Sequence, residues 1–132
     1  MMKNILCFFT FLFLFACSAD ANRLDGKEFV WADAPNGAEI TIGFERGENG
    51  FYGKAAVNRY FGTYKIEGSN IFFEVIGSTM MMGPQELMDA EMKYLQSLSN
   101  VKAFKFSNNV LELYMNEQEK MVFELIENMD EN

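Results

Sequence analysis

Two short runs, 58–64 (NRYFGTY) and 77–84 (GSTMMMGP), hold the side chains best suited to chemistry or recognition. Each run lies between segments with strand-like patterns, where a folded scaffold often presents functional side chains. Asn58, Arg59 and Tyr60 place an amide, a guanidinium and a phenol side by side, which could form a polar recognition patch. The alternative, which we favour, is a structural corner in which Asn58 bonds the backbone and Arg59 pairs with an acidic strand residue.

Nucleophilic catalysis at Ser78 or Thr79 would need a nearby base, and the chain contains no histidine. This absence excludes Ser-His-Asp and Cys-His catalysis and every zinc site that uses histidine. A base would have to come from Lys54 or Lys65 on another strand. We therefore expect Ser78 and Thr79 to form a turn and to cap a helix before Pro84. The sequence predicts a protein that is not an enzyme and has no cofactor, with a histidine-free hydrolase using Ser78 or Thr79 as the alternative.

Three consecutive methionines, Met80, Met81 and Met82, could line an adaptable hydrophobic groove, because thioethers repack readily around different partners. Core filling or contact with a helix is the interpretation that we favour. A soft-metal site is disfavoured, since adjacent residues of a strand point in opposite directions. No metal site is predicted.

The first residues are typical of an exported lipoprotein. Lys3 precedes an almost unbroken apolar run over residues 5–15, which is too short to span a bilayer but has the length of a secretory signal. Residues 14–17 (LFAC) resemble a bacterial lipobox, so we expect a signal peptide over 1–16 and a lipidated Cys17 followed by a tether to residue 23. Two or three acyl chains would hold the protein on a membrane. Ser18 favours the outer membrane facing the periplasm.

Charge and cysteine content limit the partners and the sources of stability. The 19 acidic and 11 basic residues give a net charge of −8, which repels phosphate backbones and makes nucleic acid an unfavourable partner. Cys7 lies in the expected signal, so the mature domain would have no disulfide. Glu86, Asp89 and Glu91 form no catalytic carboxylate pair and are expected on the solvated face of a helix.

The remaining pattern predicts one α+β domain over residues 24–127, with an acidic tail over 128–132. One amphipathic helix is predicted over 84–97, and residues 58–61 are predicted as an irregular corner. The antiparallel sheet is expected to form a cracked or half-open barrel, with the helix inserted after the fifth strand. About eight strands are predicted, over residues 28–31, 39–44, 51–57, 62–67, 71–76, 101–106, 110–115 and 120–126.

The two runs, their spacing and the amphipathic helix that follows them resemble the META domain family, which includes the bacterial heat-shock protein HslJ. Family members typically carry a cysteine where this chain has Val57 and another where it has Gly83. Because both cysteines are replaced together, we predict that Val57 lies close to Gly83. The residues that match the family motifs, and that the resemblance marks as a possible binding site, are Asn58, Arg59, Tyr60, Gly62, Thr79, Met80, Met81 and Pro84.

The resemblance implies an envelope or stress function without established catalysis, and a fold similar to a pilotin lipoprotein that binds a hydrophobic chain. We therefore expect a non-catalytic lipoprotein, anchored through Cys17, that binds a protein partner or an apolar ligand. A purely structural anchor is a further alternative. A continuous cavity lined by Phe and Met would favour an apolar ligand, whereas a packed interior would favour an interaction surface or a structural role.

Overall fold

A computed structural model describes residues 24–128 of the chain. These residues contain one α-helix, α1 (Gln85–Ser99), after the fifth of eight strands. The expected signal over 1–16, the lipidated Cys17 with its tether, and the tail from residue 129 lie outside the described residues. The strands are β1 (Lys27–Trp31), β2 (Thr41–Phe44), β3 (Gly50–Ala55), β4 (Asn58–Glu67), β5 (Asn70–Ser78), β6 (Ala103–Ser107), β7 (Val110–Tyr114) and β8 (Lys120–Asn128).

All eight strands join one antiparallel ring in chain order, and β8 closes the ring against β1. The ring is uneven, because β5 and β6 share a single residue pair, Asn70 with Ala103. In contrast, β4 and β5 pair from Tyr60 with Ser78 to Glu67 with Asn70. The predicted α+β class, the eight strands, the helix position and the half-open ring are confirmed.

Residues that tolerate a left-handed backbone form the tight turns. Asn36 and Gly37 have φ values of 58° and 68° after Pro35, in the turn between β1 and β2. The turn between β6 and β7 uses two such residues in succession, Asn108 and Asn109, with φ values of 53° and 63°. A turn of this kind matches the right-handed twist of the strands that it joins.

Aromatic rings fill the interior of the ring of strands. The rings of Phe29 and Phe106 lie 5.5 Å apart, and those of Phe51 and Phe73 lie 5.1 Å apart, both edge to face. The ring of Phe44 lies between these two pairs, with its centroid 6.0 Å from that of Phe29 and 6.3 Å from that of Phe73. Edge-to-face pairs at these distances bring the positive rim of one ring to the negative face of the other. The core is therefore packed between both halves of the sheet.

Several predicted boundaries were wrong. Residues 58–61 are not an irregular corner, since β4 begins at Asn58 and the chain turns before it. The helix continues to Ser99 and begins after Pro84, whose carbonyl accepts the first helical hydrogen bonds. Strand β8 continues to Asn128, one residue beyond the predicted end of the domain, and pairs there with Lys27 of β1. The sixth strand begins at Ala103 and not at residue 101, and its buried residues are Phe104 and Phe106.

Candidate functional site

The candidate site is built around Asn58, the first residue of β4, which is 4% exposed. It follows a turn in which Ala56 has a φ of 73°, and its side chain contacts Thr79 and Met81 of the 79–84 segment. The Asn58 side chain accepts one hydrogen bond from the backbone of Met81 and donates another to it. The Met81 N–H donates to Asn58 Oδ1 at 2.6 Å, and Asn58 Nδ2 donates to the Met81 carbonyl at 3.2 Å. Asn58 therefore substitutes for a strand partner beside a segment with no regular structure.

A buried carboxylate from the helix completes this arrangement. Glu91 is 7% exposed, and its Oε1 accepts the backbone N–H groups of Asn58 at 2.6 Å and Val57 at 3.2 Å. Its Oε2 accepts Asn58 Nδ2 at 2.7 Å. Three N–H donors thus surround one charged acceptor, and bonds of this kind are stronger than those between neutral groups. Glu91 ties the β3–β4 turn to α1, so its predicted place on the solvated face was wrong.

Thr79 joins the same set of contacts from the other run. Its hydroxyl donates to Asn58 Oδ1 at 2.9 Å and accepts the Arg59 N–H at 3.1 Å. The Thr79 N–H also donates to the Arg59 carbonyl at 2.9 Å. The two sequence runs therefore meet in space, and we call Asn58, Glu91, Thr79 and the Met81 backbone the Asn58–Glu91 network. The expectation that the Asn58 side chain bonds the backbone is confirmed, although the residue begins a strand and not an irregular corner.

Other expectations for this corner were wrong. No side chain caps the start of α1, because the Thr79 hydroxyl is used on Asn58 and Ser78 ends strand β5. The side chain of Arg59 is exposed and makes no ion pair with any carboxylate in the part of the chain that the structure describes. Lys65, one of the two lysines considered as a base for Ser78 or Thr79, pairs instead with Glu67 at 2.8 Å on the outer face of β4. The Thr79 hydroxyl is bonded to two amide groups, the side chain of Asn58 and the backbone N–H of Arg59.

Tyr60 points into the ring and forms a buried polar chain. Its hydroxyl donates to the Thr41 carbonyl at 2.7 Å, so the neighbouring Tyr94 hydroxyl at 2.5 Å is the donor to Tyr60. Burial is the main cause that raises the pKa of Tyr60 well above its usual value, and the nearby Tyr94 adds to it. Burial also raises the pKa of Tyr94, which the bond to Tyr60 partly offsets. These hydroxyls fix α1 against β2 and β4.

Gly62 has a packing role. An ideal Cβ built at Gly62 would touch the backbone carbonyl of Glu74 and would lie 2.8 Å from Phe51 Cζ. The pairing of β4 with β5 shifts by one residue between Phe61 and Gly62, and the strands approach closely there. Glycine is therefore required by the contact with β5.

The predicted proximity of Val57 and Gly83 is confirmed. An ideal Cβ at Gly83 would lie 2.8 Å from Val57 Cγ2 and 3.6 Å from Val57 Cβ. Natural disulfides have Cβ atoms about 3.5–4.5 Å apart. The two positions that carry cysteine in the resembling family therefore face each other here. In this chain, the valine methyl groups occupy the space that a side chain at residue 83 would need.

The three methionines are exposed. Met80 and Met82 are 89% and 87% exposed, and Met81 is half exposed. The expectation that they fill the core was wrong, because the Asn58–Glu91 network holds the Met81 backbone at the surface. Ile76, at the shift in the pairing of β5 with β4, is also exposed. Together we call Ile76 and Met80–Met82 the methionine surface.

A groove of about 480 Å³ lies between β5 and α1. Strand β5 lines one side with Phe73, Glu74 and Val75, and the helix lines the other with Met92, Leu95, Gln96 and Ser99. Most of this lining is apolar. The groove was not predicted, because no sequence pattern shows how far two consecutive strands separate.

Glu91 is the main residue of the site that sequence reasoning missed, although a signal was present. Leu87, Tyr94 and Leu98 recur on the inner face of α1, and Glu91 has the same spacing between them. A carboxylate within an apolar stripe is expected to have a hydrogen-bond partner. The pattern therefore marked Glu91 as buried, but it did not reveal that the partner was Asn58.

Within residues 24–128, no helix is long and apolar enough to cross a bilayer. No three described carboxylate or cysteine side chains come close enough together to hold a metal ion.

The fold resembles several solved structures at low sequence identity. An NMR structure of a protein from Burkholderia xenovorans has a TM-score of 0.66 at 20% identity, covering 82% of this chain and 87% of that one. Another NMR structure has a TM-score of 0.57 at 15% identity over 77% and 91% of the two chains. A DUF4847 family protein from Bacteroides vulgatus has a TM-score of 0.51 at 16% identity, over 64% of this chain and 57% of its own.

These likenesses concern the fold alone, and no curated protein sequence matches the chain. A sequence model of one family matches residues 20–128, which includes both runs, the helix and all eight strands. The chain therefore belongs to the META domain family.

Proposed function

We propose that this protein is a non-catalytic envelope lipoprotein that binds a protein partner through the methionine surface. The observation that carries the proposal is the exposure of Met80 and Met82 at 89% and 87%, on either side of a Met81 backbone that partly buried hydrogen bonds hold against Asn58. Exposed thioethers on a fixed backbone can adapt to a partner without a large loss of backbone entropy.

The packed interior favours a protein partner over a small apolar ligand. Rings from opposite sides of the sheet are in contact, as for Phe29 with Phe106, and Tyr94 of the helix fills the space beside Trp31 at 5.7 Å. An acyl chain would have to displace these side chains. Partner binding at the surface requires no such change.

A non-catalytic role agrees with the bonds of the candidate nucleophile. The Thr79 hydroxyl both donates and accepts within the Asn58–Glu91 network, and its partners are amide groups that cannot act as a base. Ser78, the other candidate, ends strand β5 on the exposed side. Anchoring through Cys17 would keep the methionine surface near the membrane. The proposal includes a stress-related role for the protein at that location.

The binding proposal is tested by photo-crosslinking in the native envelope. A photoreactive phenylalanine analogue replaces Met80 in the full-length protein, with exposed Gln118 as the matched control site. We expect a discrete protein adduct from position 80 that a Met82→Lys substitution removes and that excess unlabelled protein displaces. The same adduct from position 118, or no effect of Met82→Lys, would overturn the proposal. A bound acyl species in native mass spectrometry would favour the apolar-ligand alternative.

The lipid anchor is tested separately by metabolic labelling with an alkynyl fatty acid. We expect label on the natural chain and none after Cys17→Ala, together with release of the variant from the membrane fraction. A Cys7→Ala variant is the matched control and should keep both the label and the membrane association. Equal labelling of the Cys17→Ala variant would contradict anchoring at this residue.

A further inference from the structure

The gap between β5 and β6 leaves part of one strand edge open. Beside the single pair Asn70 with Ala103, two backbone bonds join the strands: the Ile71 N–H donates to the Lys102 carbonyl, and the Phe104 N–H to the Ser69 carbonyl. Beyond Ile71, β5 continues to Ser78 with no strand on this side in the described chain. The groove described above lies along this stretch.

The direction of the free backbone groups follows from the pairing. Ser69 and Ile71 direct their groups toward β6, and backbone direction alternates along a strand, so Phe73 and Val75 face the same side. The pairing of β5 with β4, on its other side, leads to the same direction for the Phe73 backbone groups. Tyr64, the β4 partner of Phe73, donates its N–H to Asn49 on the far side of β4, so this pair exchanges no hydrogen bonds. The N–H and C=O groups of Phe73 therefore point into the gap.

These backbone groups favour one kind of occupant. An edge with alternating N–H and C=O groups binds an extended peptide by main-chain hydrogen bonds, while pockets along the edge select its side chains. Phe73 and Val75 of β5 and Leu95 of the helix supply the apolar part of the lining. An acyl chain could contact the apolar part, but it could not pair with the backbone groups.

Charge decides between a second copy of this chain and another peptide. The groove lining contains one carboxylate, Glu74, and no basic side chain. Two copies paired through β5 would bring two Glu74 side chains together, on molecules that each carry a net charge of −8. Like charges opposite one another in a sheet are destabilising. A basic peptide would instead gain from the same charges.

We propose that the open edge of β5 between Phe73 and Val75 binds an extended peptide of alternating apolar and basic residues as an added strand. The proposal deepens the proposed function and rests on it, because it names the partner segment as a β-strand. The methionine surface begins within β5 at Ile76 and continues with Met80–Met82 just after the strand, so that one partner could contact both.

The binding test uses a capped heptapeptide that alternates valine and lysine, titrated into the folded protein by NMR. We expect the amide signals of Phe73 and Val75 to shift and to become protected from hydrogen exchange. The amides of Phe72 and Glu74, which face β4, serve as internal controls and should change little. A peptide with glutamate in place of lysine should bind with an affinity that is lower by a factor of about ten or more. Unchanged exchange at Phe73 and Val75 would overturn the proposal.

Backbone pairing is tested by N-methylation of the peptide. Methyl groups on all valine nitrogens block one edge of the peptide, and methyl groups on all lysine nitrogens block the other. We expect one of the two methylated peptides to bind and the other to fail. Equal binding by both, or loss of both, would contradict strand addition.

Two protein variants complete the test. Val75→Pro removes an N–H that faces the gap and that β4 does not use, so the fold should remain, as judged by the NMR signals of β7 and β8, while peptide affinity falls about tenfold. Glu74→Lys, at an exposed position, should reverse the preference toward the glutamate peptide. Unchanged affinity in folded Val75→Pro would overturn the proposal. The crosslink at Met80 is a separate readout, so failure at β5 is distinguishable from failure of the proposed function.

Discussion

A disulfide can be introduced between residues 57 and 83, and its formation tests the geometry of the candidate site directly. An ideal Cβ at Gly83 lies 3.6 Å from Val57 Cβ, within the range of natural disulfides. Val57→Cys also removes the Cγ atoms that lie 2.8 and 3.1 Å from that Cβ. Gly83 has no left-handed φ, so a side chain is compatible with its backbone. We expect the double cysteine variant to oxidise to a single intramolecular disulfide.

The stabilisation follows from the loop that the bond closes. Residues 57 and 83 are separated by about 26 positions, and closing a loop of that length removes about 3.5 kcal/mol of chain entropy from the unfolded state at 25 °C. Strain would reduce this value. We expect the free energy of unfolding of the oxidised variant to exceed that of the reduced variant by about 2–3.5 kcal/mol.

The assay uses a chain that begins at Ser18, which contains no other cysteine. Thiol titration and a mass loss of about 2 Da measure the bond, and urea denaturation with and without reductant measures its contribution. Two free thiols in a folded, air-oxidised variant would refute the proposed geometry. A double-mutant cycle of Val57→Ala and Gly83→Ala is the matched control. Gly83→Ala alone should lower the free energy of unfolding by about 1–3 kcal/mol, because the added methyl group overpacks against Val57. In the Val57→Ala background the same substitution should have a much smaller effect.

Three further substitutions or conditions test the packing around the site by urea denaturation. Glu91→Gln should lower the free energy of unfolding by about 2–4 kcal/mol, because either orientation of the new amide places its NH₂ group against an N–H donor. The control Asp89→Asn, at an exposed position, should change the free energy of unfolding by less than about 0.5 kcal/mol. Equal effects of the two substitutions would contradict the buried network. Tyr60 and Tyr94 have raised pKa values in the folded state, so the unfolded chain loses their protons first, near pH 10. Stability from these groups is complete below pH 10 and should fall by up to about 2.7 kcal/mol per pH unit above it, and a double Phe variant should show a shallower fall. Gly62→Ala should cost about 3 kcal/mol or prevent folding, since its Cβ meets the β5 backbone; a stable variant would show that the strands can separate.

Local patterns were sufficient for most of the fold. Alternation in residues 39–44 placed Ile40, Ile42 and Phe44 on one face, and all three are fully buried. Asn108 and Asn109, which tolerate a positive φ, form the turn between the sixth and seventh predicted strands, and the amphipathic helix was also confirmed. These features depend on side-chain period and on the backbone preferences of single residues, which are properties of a short stretch of chain.

The sequence also placed two distant residues together, although for a different reason. Val57 and Gly83 were paired because both replace a cysteine of the resembling family, and no local pattern connects them. The same resemblance marked Asn58 and Thr79, which form a hydrogen bond. It could not assign their roles, because a motif records which residues occur and not which atoms they contact.

The sequence by itself determined the elements of this protein, their order and the residues that meet at the Asn58 corner, because these depend on local preferences and on motifs. Only the tertiary structure decided which N–H groups bind Glu91, that the three methionines are exposed, and that β5 separates from β6 to leave a groove. Each of these depends on contacts between segments that are far apart in the chain. The burial of Glu91 is stable because three N–H groups from the β3–β4 turn converge on it, and no stretch of the helix sequence contains those donors.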